Sequence, residues 1–92
     1  MNLEREVEQR LVTLVEQAGG LCVKHGQDGW PDRIVMLPHG VLVWVEVKRP
    51  KGIQAGLQKY RASQLHTLGQ NIVVLSSIAE VNEFMSELTD VG

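Results

Sequence analysis

Glu46 and Lys48 stand two residues apart at the end of the β-branched run Val41–Lys48, so on a strand both project from the same face. Such a pair can help hold an ion and steady developing negative charge. In its plainest form it only screens itself at a strand end, worth ~0–1 kcal/mol. A third group arrives through the preceding run, Arg33–Leu37, joined by Pro38-His39-Gly40 in what reads as a hairpin. If those three residues are the whole loop, with Gly40 left-handed, Leu37 pairs with Val41 and Asp32 lies opposite Glu46. Directly opposed side chains have Cβ atoms roughly 4.5–5.5 Å apart. Two carboxylates at that separation repel unless a cation lies between them, and hard divalent ions such as Mg2+ or Mn2+ suit oxygen ligands. A two-residue loop instead turns Asp32 to the opposite face and leaves it as half of a Pro-Asp turn. The sequence alone leaves both registers open.

The elements that must position these groups follow from periodicity. Leu3, Val7, Leu11, Leu14, Val15 and Ala18 recur at steps of three and four, a single helical stripe stopped by Gly19-Gly20. Leu21–His25 reads as a short strand and Gly26–Pro31 as a loop. In the third strand Val41, Val43, Val45 and Val47 line one face, and Leu42, Trp44, Glu46 and Lys48 the other. Both faces begin apolar, so this strand is expected to be central, with one face turning charged only at its C-terminal end. Arg49-Pro50-Lys51-Gly52 ends it. Gln54–Leu68 reads as a helix with Leu57, Tyr60, Leu65 and Leu68 on its inner side, and Asn71–Ser76 as a strand buried on both faces. Ser77 and Glu80 form a capping box for a last helix whose stripe is Ile78, Val81, Phe84 or Met85, and Leu88. The order is αβββαβα. A hairpin followed by a β-α-β crossover gives a mixed sheet flanked by helices, the fourth strand parallel to the third.

Ninety-two residues make a single domain, spanning 1–92, with a thin core. No apolar run reaches the ~20 residues of a membrane span, and the acidic, helical start is unlike a signal peptide. One cysteine, Cys22, excludes an intramolecular disulfide and a cysteine-rich zinc site, and reads as a core residue of a protein in a reducing compartment. The net charge of −2 hides a division: positions 24–66 hold seven Lys and Arg against three acids, and the flanks hold two against eight. A basic middle between acidic ends suggests one anion-facing surface.

Glu8, Gly29-Trp30-Pro31-Asp32-Arg33, Glu46-Val47-Lys48 and Gln58, in this order of elements, resemble the PD-(D/E)xK nuclease superfamily. Within it the chain is similar to stand-alone VRR-NUC domains of phage and bacterial genomes, through Gly19-Gly20, Lys24, Arg33-Ile34-Val35, Gln58 and Leu65-x-x-Gly69. The resemblance implies a restriction-endonuclease-like α/β core with Asp32 and Glu46 as principal metal ligands and the Val47 carbonyl completing the protein side. It implies Glu8 as an acid reaching the metal directly or through water, Lys48 as the motif lysine, Gln58 near the active site, and a 5′-phosphate product. Hydrolysis of an anionic phosphodiester requires that its charge be neutralised and water made nucleophilic; a metal at Asp32 and Glu46 does both, and Lys48 orients that water or stabilises the developing charge.

Lys24, Arg33, Arg49, Lys51, Lys59 and Arg61 are the candidate contacts to a DNA backbone. Nothing resembles a base-reading helix, so binding is expected to select shape over sequence. Trp30 is a candidate to stack on an unpaired base or to pack over its loop. One site makes one nick, and symmetric cleavage of a four-way junction needs two sites about a twofold axis. The expectation is therefore a cytoplasmic homodimer, in a bacterial or phage-infected cell, acting on branched, Holliday-junction-like DNA. A flap or single-strand nuclease with the same site, a non-cleaving DNA-binding module and a small interaction scaffold are the alternatives. His25, His39 and His66 lack metal-ligand spacing, His25 lying nearest the site in sequence.

Overall fold

The computed structural model describes residues 3–48 and 56–89. The elements follow in the expected order: α1 (Glu4–Gln17), β1 (Leu21–Lys24), β2 (Arg33–Leu37), β3 (Val41–Val47), α2 (Gly56–Thr67), β4 (Ile72–Leu75) and α3 (Ile78–Thr89). The strands form one sheet in the order β1-β2-β3-β4. β1 with β2 and β2 with β3 are antiparallel, and β3 with β4 is parallel, so β3 is interior and α2 is the crossover to the edge strand β4.

The register that decides the site is set at the Pro38–Gly40 turn. His39 (φ 71°) and Gly40 (φ 78°) are both left-handed, and Leu37 pairs with Val41. Pairing then runs through Met36 with Leu42 to Arg33 with Val45. One step further, Asp32 stands opposite Glu46, the three-residue solution of the two that the sequence allows.

The core lies on one side of the sheet. Val35, Leu37, Val43, Val45, Val47 and Leu75 pack with Val7, Leu11 and Val15 of α1 and Val81 and Met85 of α3. Complete burial of a side chain such as Leu11 contributes about 1.5–3 kcal/mol. At the start of α3, Ser77 Oγ accepts the Glu80 N–H at 3.1 Å, as the capping box requires. The Glu80 carboxylate returns to the N–H of Ser76 at 2.6 Å, one residue earlier than the standard motif.

Two expectations about burial are corrected. Leu57, Tyr60 and Leu68 are exposed, and of the expected α2 stripe only Leu65 is buried. At 100° per residue the inward side is Gln58, Arg61, Ala62 and Leu65, so α2 is rotated by roughly a quarter turn from the position its leucines suggest. β4 is not sealed on both faces either: Leu75 is buried but Val74 is 45% exposed. An edge strand under a helix that covers only part of the sheet keeps one face open.

Candidate active site

The continuing register lays a row of side chains across the sheet on the α2 side. Glu46 pairs with Val74 in β4, and the β2–β3 register, continued one step beyond the Arg33–Val45 pair, sets it against Asp32. Asp32 in turn accepts the His25 N–H through its carbonyl oxygen at 2.8 Å, extending the β1–β2 ladder by one pair. Glu46 is 1% exposed, the most deeply buried charged residue among those described. Asp32 and Lys48 are half-buried.

Asp32 is oriented by the backbone beside it. The β2–β3 ladder ends at the Arg33–Val45 pair, and beyond it the Val47 N–H donates to Asp32 Oδ2 at 2.8 Å. This bond crosses from the entry of β2 to the end of β3 and fixes the carboxylate against the Glu46-Val47-Lys48 segment. Lys48 is held by its own N–H to the Leu75 carbonyl, 2.9 Å away on β4. Asp32 is thus tied to the end of β3 from the β2 side, and the backbone of Lys48 from the β4 side, at the point where Glu46 and Val47 close the strand. The donor set is hard oxygen, as a divalent cation such as Mg2+ or Mn2+ prefers, and a buried glutamate opposite a second carboxylate fits such an ion.

Glu8 is placed differently. Its Oε1 accepts from Arg33 Nε at 2.8 Å, an ion pair with 16% and 22% of the Arg33 and Glu8 side chains exposed. Arg33 Nη1 also donates to the Cys22 carbonyl at 3.2 Å. Arg33 pairs with Val45, so it points to the α1 side of the sheet, where it meets Glu8. Among the described residues no three His, Cys, Asp or Glu side chains gather into a metal-holding cluster. The Arg33 guanidinium is thus committed inside the fold, a correction to its expected place on a DNA-facing surface. Lys24 and Lys59 are exposed, and Gln58 lies on the inward side of α2. Arg49 and Lys51 lie outside the described residues.

Beside the acidic row sits a cluster that sequence periodicity did not find. The His25 ring meets Trp30 edge-on (centroids 5.4 Å apart) and Trp44 edge-on (5.7 Å), and the two indoles are 5.3 Å apart. Arg61 of α2 lies over the Trp30 ring, 4.5 Å from its centroid. Gly29 is left-handed (φ 81°) and so close to the Leu57 side chain that a Cβ there would collide with it. The loop leading into Asp32 is therefore clamped under the first two turns of α2. The available signal was parity: Trp44 shares a face with Glu46, and His25 falls opposite Asp32 once β1 and β2 are paired.

No family model matches the sequence. Among known proteins, the chain is 38% identical over 82 residues to a protein of Acyrthosiphon pisum secondary endosymbiont phage 1 named "Putative nuclease p44", covering 84% of this chain and 88% of that one. Among solved structures it is similar to one described as "VRR_NUC domain", with a TM-score of 0.84 and 30% identity over 90% of this chain and 94% of the other.

Proposed function

Because the chain belongs to the VRR-NUC nuclease family, we propose that it is a Mg2+- or Mn2+-dependent endonuclease that hydrolyses phosphodiester bonds in branched DNA, acting as a homodimer on Holliday-junction-like substrates. The observation that carries this reading is the fixed Asp32 carboxylate, bonded at 2.8 Å to the N–H of Val47, the residue next to buried Glu46. Asp32, Glu46 and the Val47 carbonyl hold the ion. When bound there, a divalent cation supplies a Lewis acid for a phosphoryl oxygen and lowers the pKa of attached water. Lys48, on the Glu46 face, orients the attacking water or compensates charge on the phosphoryl group. Gln58 supports the site from the inward side of α2. Glu8, engaged by Arg33, acts at one remove, through water.

Lys24, Lys59 and Arg61, with Arg49 and Lys51, hold the DNA backbone. Arg61 does so from its seat over Trp30. Two sites about a twofold axis cut a four-way junction symmetrically, and the acidic faces of α1 and α3, poor surfaces for phosphate, are the places for the dimer contact. Among the described residues no helix is long and apolar enough to cross a membrane, and we place the protein in the cytoplasm.

The deciding experiment offers purified protein four-way junctions, flaps, single strands and linear duplex, with Mg2+, Mn2+ or chelator. Metal-dependent cutting that favours junctions is expected. Preference for flaps or single strands would transfer the same site to the alternative substrate, and junction binding without cutting under either metal would overturn the enzymatic reading.

A further inference from the structure

Trp30, the aromatic residue that its loop position singles out for stacking, is already committed. One face carries the Arg61 guanidinium at 4.5 Å, and Trp44 and His25 crowd its remaining surface at 5.3 and 5.4 Å. The aromatic ring offered to solvent at this end of the molecule is Tyr60, 59% exposed, with Leu57 one turn earlier at 52%. We infer that Tyr60 stacks on an unpaired base of the DNA strand next to the cleavage site, with Leu57 as the apolar floor beside it. This inference rests on the reading of the protein as a DNA nuclease.

Three observations support it. First, the Tyr60 ring is held in place. Gln64 Nε2 donates to the Tyr60 hydroxyl at 3.2 Å, and Arg61 Nη1 donates to Gln64 Oε1 at 2.7 Å. Arg61 is itself seated on Trp30, so a continuous chain of contacts runs from the aromatic cluster to the exposed phenol. A ring ordered in advance loses less freedom when it stacks than a loose one.

Second, the helix that carries the ring is anchored against the site's loop. Leu57 touches Gly29 and Arg61 covers Trp30, which places this flank of α2 against the loop that ends at Asp32.

Third, the charge around it matches a polyanion. Between Glu46 and Glu80 the chain has no Asp or Glu, while it carries Lys48, Arg49, Lys51, Lys59 and Arg61. An apolar protein partner would gain nothing from that distribution. A nucleic acid gains phosphate contacts and a surface for a base together. The chemistry also selects the kind of base. In duplex the faces of the bases are covered by their neighbours, so a flat, exposed ring rewards only a base freed at a branch, flap or nick.

The test places 2-aminopurine at the first unpaired position of a flap or junction, or at a paired position of linear duplex. Full-length protein is titrated in with Ca2+ replacing Mg2+. Wild type is expected to quench the unpaired probe, and Tyr60→Phe, which keeps the ring but loses the Gln64 bond, to quench it with a smaller loss of affinity than Tyr60→Ala. Tyr60→Ala is expected to lose the quench and about 5- to 150-fold in affinity for the branched substrate, the range measured for base–aromatic stacking. Its affinity for duplex should stay within about twofold, and its thermal unfolding should be unchanged. Unchanged affinity and quenching in Tyr60→Ala would overturn the inference, as would an equal loss on duplex. Parallel cleavage assays in Mg2+ separate the two failures. Wild type that stacks on the probe without cutting refutes the enzymatic reading alone, and cutting with an indifferent Tyr60→Ala refutes the stacking alone.

Discussion

Toward α1 and α3 the sheet presents Val35, Val43, Val45 and Val47, all sealed beneath Val7, Leu11, Val15, Val81 and Met85. Toward α2 it presents Ile34, Trp44, Glu46 and Val74, under a helix that buries one leucine and leaves Leu57, Tyr60 and Leu68 in solvent. The same strand, β3, supplies both faces by simple alternation. Its odd-numbered residues stabilise the fold and its even-numbered ones gather charge and aromatic surface. The difference teaches that a thin domain can separate stability from chemistry across the thickness of one sheet. Adjacent residues of β3 should therefore fail in different assays.

The largest expected effect is on the chemical face. Asp32→Asn or Glu46→Gln should lower cleavage by about three orders of magnitude, since the transition state loses several kcal/mol of charge stabilisation. DNA binding and the unfolding midpoint should stay close to wild type. A variant that still cuts at the wild-type rate shows the ligands to be misassigned. Next comes the apolar face: Leu11→Ala should cost about 2–5 kcal/mol of stability, read by denaturant unfolding, with turnover per folded molecule unchanged. If its folded fraction cuts poorly, the two faces are coupled and the separation is wrong. The smallest effect is that of Lys48→Ala, about 100-fold in turnover with metal affinity unaltered. Lost Mn2+ binding, measured by titration calorimetry, would move the lysine from chemistry to ion retention.

Much of this division is legible in the chain. The α1 stripe specifies its buried face because Val7, Leu11 and Val15 recur at steps of four, and the valines of β3 name the core side by themselves. The opposition of Asp32 and Glu46 follows as soon as the turn is known to hold three residues, which Gly40 favours and His39 accepts by also adopting positive φ. The internal duty of Arg33 also follows from parity, because a neighbour of Asp32 on a strand must point the other way. The rotation of α2 is not legible. Its apolar residues, spaced three, five and three, define no single face, and the inward seat is decided by Arg61 settling on an indole that a loop delivers. His25 is hidden for a similar reason: its place depends on pairing two strands across the Gly26–Pro31 connection, which no local pattern specifies. The exposed face of β4 depends on how little of the sheet α2 covers, a property of the assembled layers. Cys22 is a last example. Burial pushes its thiol above its usual pKa, with the nearby Arg33 guanidinium opposing the shift, an environment created by tertiary contacts alone.

The Pro38–Gly40 turn lies at the far end of the hairpin from Asp32, five strand residues or roughly 17 Å away. Surface connections of this kind ordinarily absorb insertions and deletions. Here a single lost codon would invert β2 relative to β3, sending the aspartate toward the oily layer and the arginine toward the phosphates. Mutational drift at a spot remote from the proposed ion and DNA contacts should therefore be limited to changes of residue type, with the length of the turn kept constant.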